Sequence, residues 1–321
     1  MRTNLIVCIV IALSMILCPV AALAGSEKEE TYETHHVVTQ TAKEKEDSFI
    51  SVMSPLTGKI SKMDMREYII GSVAAEMSAL YHTEALKAQA VASYTYAKMV
   101  MEQNEKINGA DITDSPDTHQ GYINEDERKE KWGNKFDEYQ NKIEAAVDEV
   151  FGSYMTYKGE TVLAVYHSNS SGVTQSAENL WGSEIPYLVS VESQGDKLSP
   201  DYQAKSNFTE SEFKACAKEC GVKLSGNVEE WVGKITEDEN GYAASIILGD
   251  EEVSASDYRE AFGLRSTCFD VEYSDGEFTV TCRGYGHGVG MSQYGADYMA
   301  RQGSTWQEIL KHYYTGVEIT E

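Results

Sequence analysis

The sequence predicts an α+β fold: one large domain with a paired-helix core, β-hairpins and a glycine-rich loop, behind an N-terminal leader. Three observations predict it. Asp64 to Met101 reads as two apolar helices with a short break. Lys158-Gly159 and Asp275-Gly276 each sit between alternating segments, which is how a hairpin turn is written. Gly284-Tyr285-Gly286-His287-Gly288-Val289-Gly290 then separates a strand-like stretch from a helical one.

In chain order, Arg2 precedes an apolar run from Leu5 to Ala24 that ends Ala22-Leu23-Ala24. A basic end, an apolar middle and an A-x-A tail describe a signal peptide over 1–24. About 20 apolar residues also suffice to span a bilayer, so residues 5–24 serve equally as a retained anchor. Either way the remainder is exported, secreted after cleavage near Ala24 or held at the membrane by that segment. Residues 25–50 are mainly charged residues and Thr without apolar periodicity, and read as a flexible acidic tether. The net charge of −25, to which the leader adds only Arg2, argues against nucleic acid and against adhesion to anionic lipid.

The domain is expected to occupy 51–321. Ser51 to Ile60 looks like a strand and turn. Asp64 with Glu67 reads as a capping box, and Ile69, Ile70, Val73 and Ala74 give the first helix a buried face. A second start follows at Thr83, with Glu84 in the first turn and a run of Ala and Leu behind it. Residues 125–150 read as one further helix, and Tyr154 to Val162 as a hairpin. The acidic stretch 195–262 reads as a subdomain or insertion with a helix at 210–219, a hairpin around Asp238–Gly241 and a helix near Ser256–Phe262. Thr305 and Glu308 cap a last helix.

Four cysteines lie beyond the leader: Cys216, Cys220, Cys268 and Cys282. No C-x-x-C occurs, which excludes a zinc ribbon. A three-residue turn at Ser274–Gly276 would set Cys268 opposite Cys282, and export would favour a disulfide there. Cys216 and Cys220, one helical turn apart, are expected to remain thiols.

Two places could carry chemistry. Glu76 ends the first helix between Val73, Ala74, Ala75 and Met77, surroundings that desolvate a carboxylate and raise its pKa. Such an acid can donate a proton at neutral pH. The second place is the glycine run together with the segment ending His167-Ser168-Asn169-Ser170-Ser171-Gly172. The run lacks the dinucleotide spacing, since Val289 stands where the third glycine would be. It also lacks the Lys-Ser or Lys-Thr of a phosphate loop. Ser292 matches a nucleophile elbow only as far as Gly290-x-Ser292. What remains is a tight loop presenting His287, Ser292, Gln293 and Tyr294, with His167 nearby, as polar groups that could orient a polar substrate. Trp181, Pro186 and Tyr187 add aromatic surface of a kind that sugars stack on.

EYIIGSVAAEM, EALKAQAVASYTYA, YHSNSSGVTQSAENLWGSEIPYLVSVES and GYGHGVGMSQYGADYMARQG together resemble the stage II sporulation protein D (SpoIID) family, which includes amidase-enhancer proteins. The resemblance covers about residues 51–320. It implies a membrane-tethered lytic transglycosylase that cuts denuded peptidoglycan during engulfment, working beside other sporulation cell-wall hydrolases or amidases. The family's catalytic glutamate falls on Glu76 and its lysine on Lys87. Its arginine would fall on Tyr94, a departure that removes a charge from the helix face shared with Lys87. Some members bind zinc near H-S-x-x-x-G; here only His167 is present between Leu163 and Asn179, so neither metal nor cofactor is expected. The competing expectation is a non-catalytic glycan binder that activates an amidase.

Overall fold

A computed structural model describes residues 48–320. The expected leader and residues 25–47 of the expected tether lie outside the described residues. The remaining tether residues, 48–50, already belong to the domain, because β1 (Phe49–Met53) starts there. It pairs antiparallel with β2 (Ile60–Asp64) and parallel with β3 (Ile112–Thr113).

The helix pair follows as α1 (Met65–Glu76) and α2 (Thr83–Gln103). Asp64 caps α1 by accepting the Arg66 N–H at 2.9 Å. Glu67 does not complete a capping box: its carboxylate takes the Arg128 guanidinium at 2.7 Å instead. Tyr68, Ile69, Ile70 and Val73 of α1 bury against Leu86, Ala88 and Val91 of α2. Gly71 admits the Tyr122 ring so closely that a Cβ would overlap it.

The single helix expected over 125–150 is two, α3 (Glu125–Trp132) and α4 (Phe136–Val150). Gly133 at φ +51° breaks them, a conformation suited to glycine. α4 packs along α2. Next come β4 (Tyr154–Tyr157) and β5 (Glu160–Thr161), joined by Lys158 and Gly159, both at positive φ as a type I′ turn requires. β6 (Tyr166–His167) and the short helix α5 (Ala177–Trp181) complete this half.

A second apolar core is built from β7 (Gln203–Thr209), α6 (Glu210–Glu219), β8 (Val232–Glu237), β9 (Ala243–Leu248), β10 (Glu251–Ser254), α7 (Ala255–Ala261), β11 (Phe269–Ser274) and β12 (Glu277–Arg283). Two three-stranded sheets, ordered β10-β9-β8 and β11-β12-β7, enclose Phe213, Tyr258, Phe262, Phe269 and Phe278. That core runs past residue 262, since β12 pairs with β7 and supplies Phe278. The chain then returns to the first core. β13 (Met291–Ser292) pairs parallel with β6, α8 (Gln293–Arg301) and α9 (Trp306–Tyr313) pack on α2, and β14 (Glu318–Thr320) closes on β4.

The disulfide expectation is overturned. The β11–β12 turn holds two residues, Asp275 (φ +53°) and Gly276 (φ +86°), so Ser274 faces Glu277 and Cys282 faces Phe269. One residue of register moves a side chain to the other face of a strand. Cys282 therefore packs into the second core beside Phe269, and Cys268 points the opposite way. All four cysteines among the described residues are free. Alkylation without reductant, followed by peptide mass spectrometry, is expected to label Cys268 and Cys282 in the unfolded chain; a linked peptide pair would contradict the register.

Candidate active site

Glu76 is the last residue of α1, and the loop after it is pinned from two sides. Lys142 Nζ donates to the Ala79 and Tyr81 carbonyls at 2.8 and 2.6 Å. From the other side Asp297 accepts the His82 N–H at 2.6 Å, and Arg301 donates to the Leu80 carbonyl at 3.1 Å. These bonds satisfy backbone groups that a helix end and a loop leave open, and they hold the chain that leaves α1 after Glu76.

The carboxyl group is half-buried. The Gly121 N–H donates to Oε1 at 2.5 Å, and a Cβ on Gly121 would lie 2.9 Å from that oxygen and 3.3 Å from Ala75 Cβ. Glycine is thus what lets this backbone reach the acid. Burial holds the Glu76 pKa above the usual carboxylate value; the Gly121 N–H, Gln293, Tyr166 and the charge of Lys131 pull it partly back. Lys131 is held there by its bond to the Ala74 carbonyl at 2.8 Å.

Beneath the acid lies a buried polar network. Tyr166 donates to Gln120 Oε1 at 2.9 Å, and Gln120 Nε2 donates to the Tyr68 hydroxyl and the Ser93 carbonyl at 2.9 and 3.2 Å. On the other side Gln293 Nε2 reaches Gln89 Oε1 at 3.3 Å, and Gln89 donates to Ser93 Oγ at 3.1 Å. A network with its members paired holds each side chain in one orientation. Burial pushes the Tyr166 hydroxyl pKa well up, so it stays a donor.

The glycine loop brings some expected residues together and separates others. Gln293, expected only to face a substrate, meets the Glu76 carboxyl. His167 and His287 meet each other, their rings 5.7 Å apart. His167 Nδ1 donates to the Val289 carbonyl and His287 Nδ1 accepts the Val289 N–H, both at 3.1 Å. Burial pushes their pKa values down to about 3 and about 4, so both rings are neutral at pH 7. Gly286, at φ +115°, crosses His167 so closely that a Cβ would sit 2.7 Å from the His167 Cβ.

Four expected residues are placed elsewhere. Ser292 is fully buried, caps α8 through the Gly295 N–H at 3.1 Å and donates to Asp196 at 2.7 Å, so its hydroxyl is closed to a substrate. The Tyr294 hydroxyl donates to the Leu198 carbonyl at 3.1 Å, and its ring stands edge-on to Tyr81. Lys87 pairs with Glu84 and Glu149 at 2.8 and 2.5 Å, and Tyr94 packs edge-on against Phe151. Those two do share a helix face, but it is turned toward α4 and the residue after it. The neighbouring face, with Gln89 and Ser93, underlies the acid. Sequence reasoning missed Gly121, Tyr166 and Lys131.

Residues 55–157 of this chain match the Stage II sporulation protein family. Over 303 residues the chain is 38% identical to stage II sporulation protein D of Bacillus subtilis (strain 168), covering 93% of this chain and 87% of that protein. The chain belongs to the stage II sporulation protein D family. A stage II sporulation protein D from Bacillus amyloliquefaciens is 36% identical over 329 residues, covering 99% of this chain and 94% of that one. The amidase enhancer of B. subtilis (strain 168) is 27% identical over 301 residues, which is 78% of this chain and 40% of the enhancer. Within the SpoIID family match fall Glu76, Gly121 and Lys131; Tyr166 and Gln293 come from beyond it.

Proposed function

We propose that this SpoIID-family chain is a peptidoglycan lytic transglycosylase that cleaves MurNAc–GlcNAc bonds of denuded glycan during engulfment, with Glu76 as its single acid and base. The observation that carries this reading is a half-buried carboxyl whose pKa is raised by burial and whose orientation is fixed by one backbone donor, Gly121. Hydrolytic glycosidases ordinarily set two carboxyl groups about the bond. The residues gathered at Glu76 are instead Gly121, Gln293, Tyr166 and Lys131.

One carboxyl is enough when the attacking oxygen belongs to the substrate. Protonated Glu76 gives its proton to the glycosidic oxygen as the bond from the MurNAc C1 breaks, and the GlcNAc hydroxyl departs. The MurNAc C6 oxygen closes on C1 and its proton passes to the Glu76 carboxylate. Water is not consumed, the acid is regenerated, and the product carries a 1,6-anhydro end. Gln293 holds the carboxyl through the exchange with Tyr166 beside it, and Lys131 favours its ionised form between the two steps.

Mass spectrometry of denuded glycan digested by the chain tests this: anhydro ends are expected, and reducing ends alone would replace transglycosylation by hydrolysis. The reading also fixes a pH dependence. A general acid works below its pKa, so cleavage falls as pH rises through the raised Glu76 value. Lys131→Met removes the charge that lowers that value, and the alkaline limb of the pH–rate profile is expected to move to higher pH. An unmoved limb would dissociate Lys131 from the acid.

Two features favour a second reading, a glycan binder that enhances an amidase: the enhancer relative, and Tyr94 packed on Phe151 where the family arginine would stand. Glycan retained without any cleavage would select it. In either role the substrate lies outside the cytoplasm, so the leader is proposed to carry the domain there, anchored or released, among other cell-wall hydrolases or amidases.

A further inference from the structure

Among the exposed rings of the described residues is an indole that the mechanism above does not use. Trp181 ends α5 with 44% of its surface exposed, although an indole is among the larger apolar groups a fold can bury. Its position is held firmly. Ser176 caps α5 through the Asn179 N–H at 3.1 Å, and the Asn179 amide donates to Asp238 at 2.8 Å. The Ala177 N–H donates to the Leu188 carbonyl at 2.9 Å, and Gly182 closes the helix at φ +71°.

One side of the indole lies 6.3 Å from the His287 ring, tilted by 40°. His287 in turn lies against His167. His167 follows Tyr166, whose hydroxyl belongs to the network under Glu76. From His287 the chain runs six residues to Gln293, the donor on the other side of that acid. Trp181 thus packs on His287, and His287 on the main chain of Tyr166, which ties the exposed ring to the strand that carries the network under Glu76.

We infer that Trp181 is a sugar-stacking subsite, taking the apolar C–H face of an N-acetylated pyranose in the same glycan strand whose bond Glu76 cleaves. The inference rests on the glycan reading above and extends it to a second ring position. A pyranose presents axial C–H groups on one face and hydroxyls at its rim, so an indole face with water around its edge suits it. The His287 ring, tilted 40° to the indole, supports it from one side.

The test uses full-length chain carrying Glu76→Gln, so that bound glycan is not consumed, and chitohexaose as the probe in isothermal titration. Trp181→Ala on that background is expected to weaken binding about tenfold, Trp181→Phe to restore most of it, and neither to move the melting temperature. In chain with Glu76 intact, Trp181→Ala is expected to raise KM on denuded glycan with kcat nearly kept. Equal affinity of the Trp181→Ala and parent proteins would overturn the subsite and leave the cleavage reading standing. So would a Phe variant as weak as the Ala variant, since that loss would come from indole packing on His287. If the parent binds neither chitohexaose nor denuded glycan, the glycan reading itself fails, and the subsite with it.

Discussion

Glu76→Gln is expected to lower glycan cleavage by roughly 10²–10⁴-fold, the usual contribution of general acid–base catalysis, while leaving the fold more stable at neutral pH. The substitution keeps the shape of the side chain and an oxygen for the Gly121 N–H, but removes the proton that the leaving oxygen needs. The stability effect follows from linkage. Burial raises the folded pKa of Glu76 above its unfolded value, so the folded chain holds that proton more tightly than the unfolded chain does. Below the unfolded pKa both states are protonated and the site costs nothing. As pH rises past it, the unfolded chain ionises first, and the folded state loses stability until its own raised pKa is passed. A neutral amide escapes that loss. Thermal denaturation at pH 7 should therefore show Glu76→Gln melting above wild type, with the difference shrinking toward pH 4. Cleavage by the variant at the wild-type rate, or a lower melting temperature at pH 7, would mean that this niche favours an ionised carboxylate and cannot house the proposed acid.

The raised pKa that the apolar sequence around Glu76 suggested agrees with the rise that burial gives it. Gln293 was legible for its own reason: a glycine run that opens onto a helix places the first helical residues at the loop's mouth. The misreadings share a cause, which is that direction along an element depends on its partner. Ser292 and Gln293 are adjacent, yet β13 pairs with β6 so that Ser292 turns inward to Asp196 while Gln293 reaches the acid. His167 drew attention as a histidine at the end of its strand before small hydroxylated residues, but the next residue back, Tyr166, carries the hydroxyl that approaches Glu76. Lys87 and Tyr94 do share a helix face, and only packing reveals that it is turned toward α4. Gly121 sits 45 residues from Glu76 in a loop without periodicity, where nothing local marks a close approach. At Cys268 and Cys282 a single residue of turn length decided the face, and Asp275-Gly276, a common two-residue hairpin pair, was the signal for the shorter turn.

Asp196→Ala is expected to destabilise the domain severely, although no sequence motif marks this residue. Its side chain is fully buried and gathers three donors: the Ser170 N–H at 2.7 Å, the Ser170 hydroxyl at 2.5 Å and the Ser292 hydroxyl at 2.7 Å. Burial raises its pKa, and those same bonds work against the rise. Removing the carboxyl leaves each donor enclosed without an acceptor, at roughly 1–3 kcal/mol apiece, so the total is at least about 3 kcal/mol. For a domain of this size each kcal/mol moves the melting temperature by about 2–4 °C, which predicts a fall of roughly 6 °C or more. Asp196→Asn keeps one acceptor oxygen and should fall between the Ala variant and wild type. The consequence is expected to reach the candidate site through Ser292, which both caps α8 and contacts Asp196: once that tie is cut, α8 loses one of the contacts that set Gln293 beside Glu76. Cleavage by Asp196→Asn should therefore drop even at temperatures where the variant is fully folded. If that variant, folded at 25 °C, cleaves at the wild-type rate, the position of Gln293 does not depend on the buried serine–aspartate tie.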